Sequence, residues 1–187
     1  LFSWVFGISC LIITVVDYRF LIIPDTLSIN GCYLGLAWNG LIALWVIYGN
    51  GVAPEMAIPF TESLLGFLVG GGFLWGLRQA AWIILKKEGM GGGDIKLLAA
   101  MGAWMGWKPV VGTIILASFM GTLGGLSQIV SQWLLYRKKY RPFSHMIPFG
   151  PYLCVGFLII FYLGMEPLYW FSEQYQLWVE GMLNRGH

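Results

Sequence analysis

Apolar runs of bilayer length, broken by very little charge, constrain this chain more than any other feature. Segments 27–48, 58–85, 109–135 and 148–171 each supply about the 20 mostly apolar residues that a helix needs to cross hydrocarbon. Segment 1–16 is somewhat shorter, and 95–107 is too short to cross unless it is tilted or capped by irregular backbone that other helices shield. Only 11% of the 187 residues are charged, whereas a soluble domain is roughly a quarter charged. A normally solvated surface is therefore excluded. A membrane β-barrel would alternate apolar and polar residues at every second position, and no segment does so. The sequence predicts an all-α, polytopic membrane bundle of about six transmembrane segments, the fourth short. It occupies residues 1–171, and a tail, 172–187, lies along the interface with Leu177 and Trp178.

The basic residues set an orientation. Arg19, then Lys86 and Lys87, then Arg137, Lys138, Lys139 and Arg141 fall in three loops. Six crossings put these loops on one side, while the opposite loops hold only Glu55 and Lys108. The positive-inside rule makes the basic side cytoplasmic. A net charge of +2 gives no footprint for nucleic acid. Cys10, Cys32 and Cys154 lie inside apolar runs without a CxxC spacing, and His145 and His187 stand far apart. No metal site is expected from them. Leu1 to Val16 lacks the basic start and small-residue cleavage site of a signal peptide. Glycine pairs Gly66/Gly70 and Gly72/Gly76 have the four-residue spacing that lets membrane helices approach closely.

Against this background four acids stand out. Asp17, Asp25, Glu88 and Asp94 all fall at the cytoplasmic ends of segments. An ionised acid at hydrocarbon depth costs about 2.5–3.5 kcal/mol on insertion scales, so such residues are usually partnered or functional. Asp17 closes the first apolar run and Asp94 opens the fourth. Two carboxyl groups brought close in a low dielectric do not both ionise, and such a pair can activate a water for peptide hydrolysis. Gly91, Gly92 and Gly93 precede Asp94; without Cβ atoms they allow a sharp turn and close approach of a substrate backbone. Alone they are equally a membrane hinge.

Three stretches then point to one family. "KEGMGGGDIKLLAAMGAW" (Lys87–Trp104), with its GxGD element Gly91–Asp94, resembles the signature of the type IV prepilin leader peptidases, membrane aspartic proteases. "DYRFLIIPD" (Asp17–Asp25) resembles the segment carrying their other catalytic acid, and "IPFGPYL" (Ile147–Leu153) a third element. The resemblance implies a dyad of Asp17 and Asp94, with Asp17 activating the nucleophile and Asp25 in support. It implies cleavage after glycine of the basic leader of prepilins or type II secretion pseudopilins, at the cytoplasmic face of the bacterial inner membrane. The pilin's apolar helix would lie among the enzyme's helices. Proteolysis in this family needs no cofactor. Many members also methylate the new N-terminus with S-adenosylmethionine, and a preceding region with a four-cysteine zinc site accompanies that activity. No such region appears in this sequence, so methylation and zinc are expected only of a longer chain that carries it.

Several roles stay open at this stage. Asp25 is either a helix N-cap or a catalytic support, and Glu88 either neutralises Lys86 and Lys87 or binds the leader's basic residues. Arg78 either snorkels to headgroups or pairs with an acid near the site. Lys96, two positions beyond Asp94, points away from it on a helix and reads as a headgroup anchor beside its family match. The rival functions are a small transporter with paired acids at a helix break and a presenilin-like GxGD protease. The latter would want a tyrosine before the first acid and a Pro-Ala-Leu motif, yet Val16 precedes Asp17 and no such motif occurs.

Overall fold

The computed structural model describes residues 2–49, 58–86, 91–136 and 148–183. Glu55, Lys87, Glu88, the basic cluster Arg137–Arg141, His145 and His187 lie outside them, so the expectations placed on those residues are left where the sequence put them.

Among the described residues every regular element is a helix: α1 Phe2–Phe20, α2 Asp25–Gly49, α3 Phe60–Leu85, α4 Gly92–Met105, α5 Trp107–Tyr136, α6 Gly150–Leu163 and α7 Glu166–Leu183. Three are long and apolar enough to cross a membrane, at Asp25–Tyr48, Phe60–Ile84 and Trp107–Ser131, and α6 is a shorter apolar helix. Leucine, isoleucine, tyrosine and tryptophan side chains cover the outer faces of α1, α2 and α3. In water such a surface would aggregate; in lipid it is solvated. The chain is a helical membrane bundle.

Its short helix is its centre. α4 has 14 residues, eight of them buried, and it contacts α2, α3, α5 and α6. At 1.5 Å per residue it is about 21 Å long, short of the roughly 30 Å hydrocarbon thickness. The neighbours α2 and α3 shield its ends, as irregular backbone in lipid requires. Glycine brings α3 and α4 together most closely. Gly66 lies against the backbone of Gly102 and Gly106, and a Cβ on Gly70 would be 2.5 Å from the Leu98 carbonyl oxygen. The expected role of Gly66 and Gly70 is therefore met. That of Gly72 and Gly76 is not: nothing among the described residues lies within 4 Å of a Cβ on either. They sit on a face of α3 turned from α4, so four-residue spacing alone does not identify the packed face.

Polar bonds reinforce the same three helices. Buried Asn39 on α2 donates from Nδ2 to the Ala103 carbonyl (3.1 Å) and to Ser63 Oγ (3.4 Å), and Ser63 on α3 donates to the same Ala103 carbonyl (2.5 Å). Trp104 Nε1 donates to the Gly31 carbonyl at 2.9 Å. The other side of the bundle is built differently. α1 packs mainly on α6, α6 on α5, and α1 and α2, although consecutive, share no extensive contact.

The sequence drew 148–171 as one span, but the helix stops at Leu163. Gly164 takes a left-handed φ of 70°, and α7 starts afresh at Glu166-Pro167. Glycine past a helix end and proline in a first turn are stop and start signals, and here they override a continuous apolar run. The tail expected from residue 172 thus belongs to a helix beginning at Glu166, and that helix packs extensively on none of the others.

Candidate active site

Asp17 lies in the last turn of α1, which runs on to Phe20 instead of ending at the acid. The exit is sharp: Leu21 adopts a left-handed φ of 54°, and its N–H bonds the Asp17 carbonyl at 2.9 Å. A non-glycine residue held in that conformation carries strain, which tends to collect at functional sites. The turn sends Leu21–Pro24 across to α2, which begins at Asp25.

Asp94 stands in the first turn of α4. Gly92 and Gly93 already belong to that helix, and Gly91 is the extended residue before it (φ −66°, ψ 141°). The glycine run was expected to turn, and the backbone does not need glycine for it, since none of the three has a positive φ. The requirement at Gly93 is space. A Cβ there would meet Ile23 Cβ at 2.8 Å, so glycine lets the Leu21–Pro24 crossing lie against the start of α4. Gly91 is permissive, with a Cβ placed 3.6 Å from Asp94 Oδ2, and a Cβ on Gly92 would lie 3.4 Å from Arg78 Nη1. Arg78, half-buried on α3, thus reaches the start of α4.

These pieces enclose a cavity of about 490 Å³ that Asp17, Asp25, Gly92, Gly93, Asp94 and Lys96 line together with residues 21–24. Asp17 and Asp94 are only 5% and 8% exposed. Among the described residues Asp17 Oδ2 has no hydrogen-bond partner, which is uncommon for a buried carboxylate oxygen. At the rim, Lys96 Nζ lies 2.7 Å from Asp25 Oδ1. Spacing along α4 predicts that Lys96 turns from Asp94 and anchors at headgroups. Its partner, however, comes from α2, and both members of the pair border the cavity. Asp25, the first residue of α2, commits Oδ1 to that cross-helix pair. Glu88 falls outside the described residues.

One residue at the site was missed. Gly150 opens α6, and a Cβ on it would lie 2.5 Å from Asp17 Oδ2. Any side chain there displaces the carboxylate. The signal available was the "IPFGPYL" stretch, whose place in the site no local pattern could reveal.

For metal, the described residues contain no cluster of three or more His, Cys, Asp or Glu side chains. The cysteines are dispersed over three helices, with Cys32 Sγ donating to the Lys96 carbonyl at 3.6 Å, and they do not fit a four-cysteine zinc site. Chemically, the cavity offers two buried carboxyl groups, a glycine-lined edge and a charged rim. This is the equipment for activating a water beside a peptide.

Comparison with known proteins agrees with that chemistry. The family model described as "Type IV leader peptidase family" matches residues 4–126. A protein of Escherichia coli (strain K12) named prepilin leader peptidase/N-methyltransferase is 34% identical over 80% of this chain and 58% of its own length. A protein of the same name from Aeromonas salmonicida (strain A449) is 34% identical over 85% of this chain and 48% of its own. Another from Xanthomonas campestris pv. campestris is 35% identical over 85% and 49%. The chain spans about half the length of the curated relatives it matches. No solved structure matches it. With the family model covering most of the bundle, including both acids, the chain belongs to the type IV leader peptidase family.

Proposed function

We propose that this chain is a membrane aspartic endopeptidase that removes the leader of type IV prepilins or type II secretion pseudopilins. The observation that carries the reading is the shared cavity: buried Asp17 from α1 and buried Asp94 from α4 line one space beside the glycine edge. In the proposed reaction Asp17 takes a proton from a water while Asp94 donates one to the peptide carbonyl oxygen. The water oxygen bonds to the carbonyl carbon. Collapse of the tetrahedral adduct breaks the C–N bond, the departing nitrogen receives the proton held by Asp17, and an adduct hydroxyl returns its proton to Asp94 as the carboxyl forms. No covalent enzyme intermediate forms. Asp25 and Lys96 brace the rim, and Glu88 serves the leader's basic residues.

The catalytic unit runs through α6, and the tail that the sequence places at 172–187 begins with α7 at Glu166. The site faces the cytoplasm of a bacterial inner membrane, on the basic side of the chain. The relatives' names pair the peptidase with an N-methyltransferase. We assign methylation with S-adenosylmethionine, and any zinc, to a longer chain bearing the four-cysteine region. A transporter reading would want acids at mid-span within inverted repeats; here they stand in a last turn and a first turn.

The test is cleavage of a prepilin by the purified chain in detergent, with and without S-adenosylmethionine, read by intact mass. The expected result is loss of the leader under both conditions. An intact substrate under both conditions would remove the proposal.

A further inference from the structure

The start of α6 has no side-chain cap: Phe149, its N-cap residue, makes no such bond, although the first N–H groups of a helix find no partner within it. Yet this uncapped end carries Gly150. A Cβ there would lie 2.5 Å from Asp17 Oδ2, and the Gly150 backbone N–H faces the same carboxyl group. A small shift of α6 would therefore move the surface against which that acid rests.

Packing on α5 takes the place of a cap. Gly150 and Cys154, four residues apart, share the face of α6 turned to α1, where Cys154 meets Cys10. Phe149 and Tyr152, three apart, take the face turned to α5, and two glycines of α5 receive them. A Cβ on Gly121 would be 3.7 Å from Tyr152 Cδ2 and 3.8 Å from Phe149 Cδ2, which is ordinary contact. Gly124 is tighter. A Cβ on it would collide with the Tyr152 hydroxyl and lie 2.9 Å from Cζ, so the end of the ring occupies the place of the missing side chain. One turn further along α6, a Cβ on Gly156 would be 3.1 Å from the Thr113 carbonyl oxygen. The two helices are thus keyed at two heights, and the Tyr152 notch is the one beside the acid.

We propose that Tyr152 is a positioning residue for the hydrolysis: its ring, seated in the notch at Gly124, sets where α6 begins and so where Gly150 holds the Asp17 carboxyl. Tyr152 stands outside the lining of the acid cavity and acts through Gly150. The role rests on the peptidase reading and gives the tyrosine of the "IPFGPYL" stretch a task.

The experiment measures kcat and KM for cleavage of a prepilin in detergent, with an unfolding curve for each chain. Tyr152→Ala empties the notch and should lower kcat about tenfold with KM within about twofold, because a displaced acid slows the chemistry and leaves binding surfaces alone. Tyr152→Phe keeps the ring and should hold kcat within about threefold. Gly124→Ala drives the ring from its seat and should match Tyr152→Ala. When both alanines are present the added methyl has no ring to displace, so kcat should fall no further than in the worse single variant. Normal kcat in a folded Tyr152→Ala, a loss that appears in KM instead of kcat, or losses that multiply in the double variant would overturn the role. If either single variant fails to fold, the other decides, set against Tyr152→Phe. If the unaltered chain leaves the prepilin uncut, the peptidase reading falls and takes this role with it. If it cuts, and Tyr152→Ala cuts equally fast, only the positioning role falls.

Discussion

The two walls of the acid cavity are built by different means. Asp94 is carried by α4, which glycine lets into backbone contact with α3 and which Asn39, Ser63 and Trp104 bind to α2 and α3 through hydrogen bonds. Asp17 is carried by α1, which rests on α6 through side chains such as Cys10, Ile13, Cys154 and Phe157 and leaves a trough on its α2 side. Lipid tails are as apolar as leucine, so membrane helices associate by close packing and hydrogen bonds. The Asp94 wall has both, and the Asp17 wall mainly the first. The difference suits the proposed hydrolysis, which needs one acid held fixed and room for a peptide between the two.

The largest effect should come from attacking the close-packed wall. Gly102→Leu puts a side chain into the backbone of α3 and should destabilise the protein by about 3 kcal/mol or more. Gly72→Leu on the open face of α3 should cost less than about 0.5 kcal/mol. Thermal unfolding of the two in one detergent measures the contrast; equal losses would mean that glycine does not distinguish the walls. On the other wall, Gly150→Ala should lower kcat about a hundredfold while the bundle persists, because its Cβ displaces the Asp17 carboxylate. Leader cleavage by a variant with a normal unfolding curve checks it, and near-normal kcat would show that the carboxylate need not hold this position.

Smaller effects sharpen the comparison. Asn39→Ala removes a buried donor to α4 and should cost about 1 kcal/mol. A loss near zero in unfolding experiments would leave glycine packing as the only distinction of the Asp94 wall. Lys96→Met breaks an ion pair whose members are 41% and 61% exposed, so the stability change should stay below about 0.5 kcal/mol. A larger shift would make that rim pair a tie between α2 and α4 in its own right.

Much of the fold was legible because lipid demands long apolar helices, and runs of that kind are visible in a sequence. The short fourth helix, the Gly66/Gly70 approach and the two acids could be read in this way. What escaped depends on pairing between distant elements. Lys96 was read along its own helix, while its partner Asp25 comes from α2. Gly150 matters because α6 begins against α1, and no local spacing encodes that. The glycines before Asp94 read as room for a sharp turn and for a substrate backbone, whereas the space at Gly93 is taken by Ile23 of the same chain. At Gly164 the signal was local, glycine followed by Glu166-Pro167, but hydropathy was given more weight.

The central claim is that Asp17 and Asp94 act on one water as a unit. A cycle of Asp17→Asn, Asp94→Asn and the double variant, with kcat/KM for leader cleavage measured in each, tests it most directly. Groups acting together are grossly non-additive. Each single change should therefore cost at least about a thousandfold, within the usual range for general acid–base catalysis, and the double variant no more than the worse single. Near-wild-type cleavage by either single variant, or losses that multiply in the double, would contradict the account.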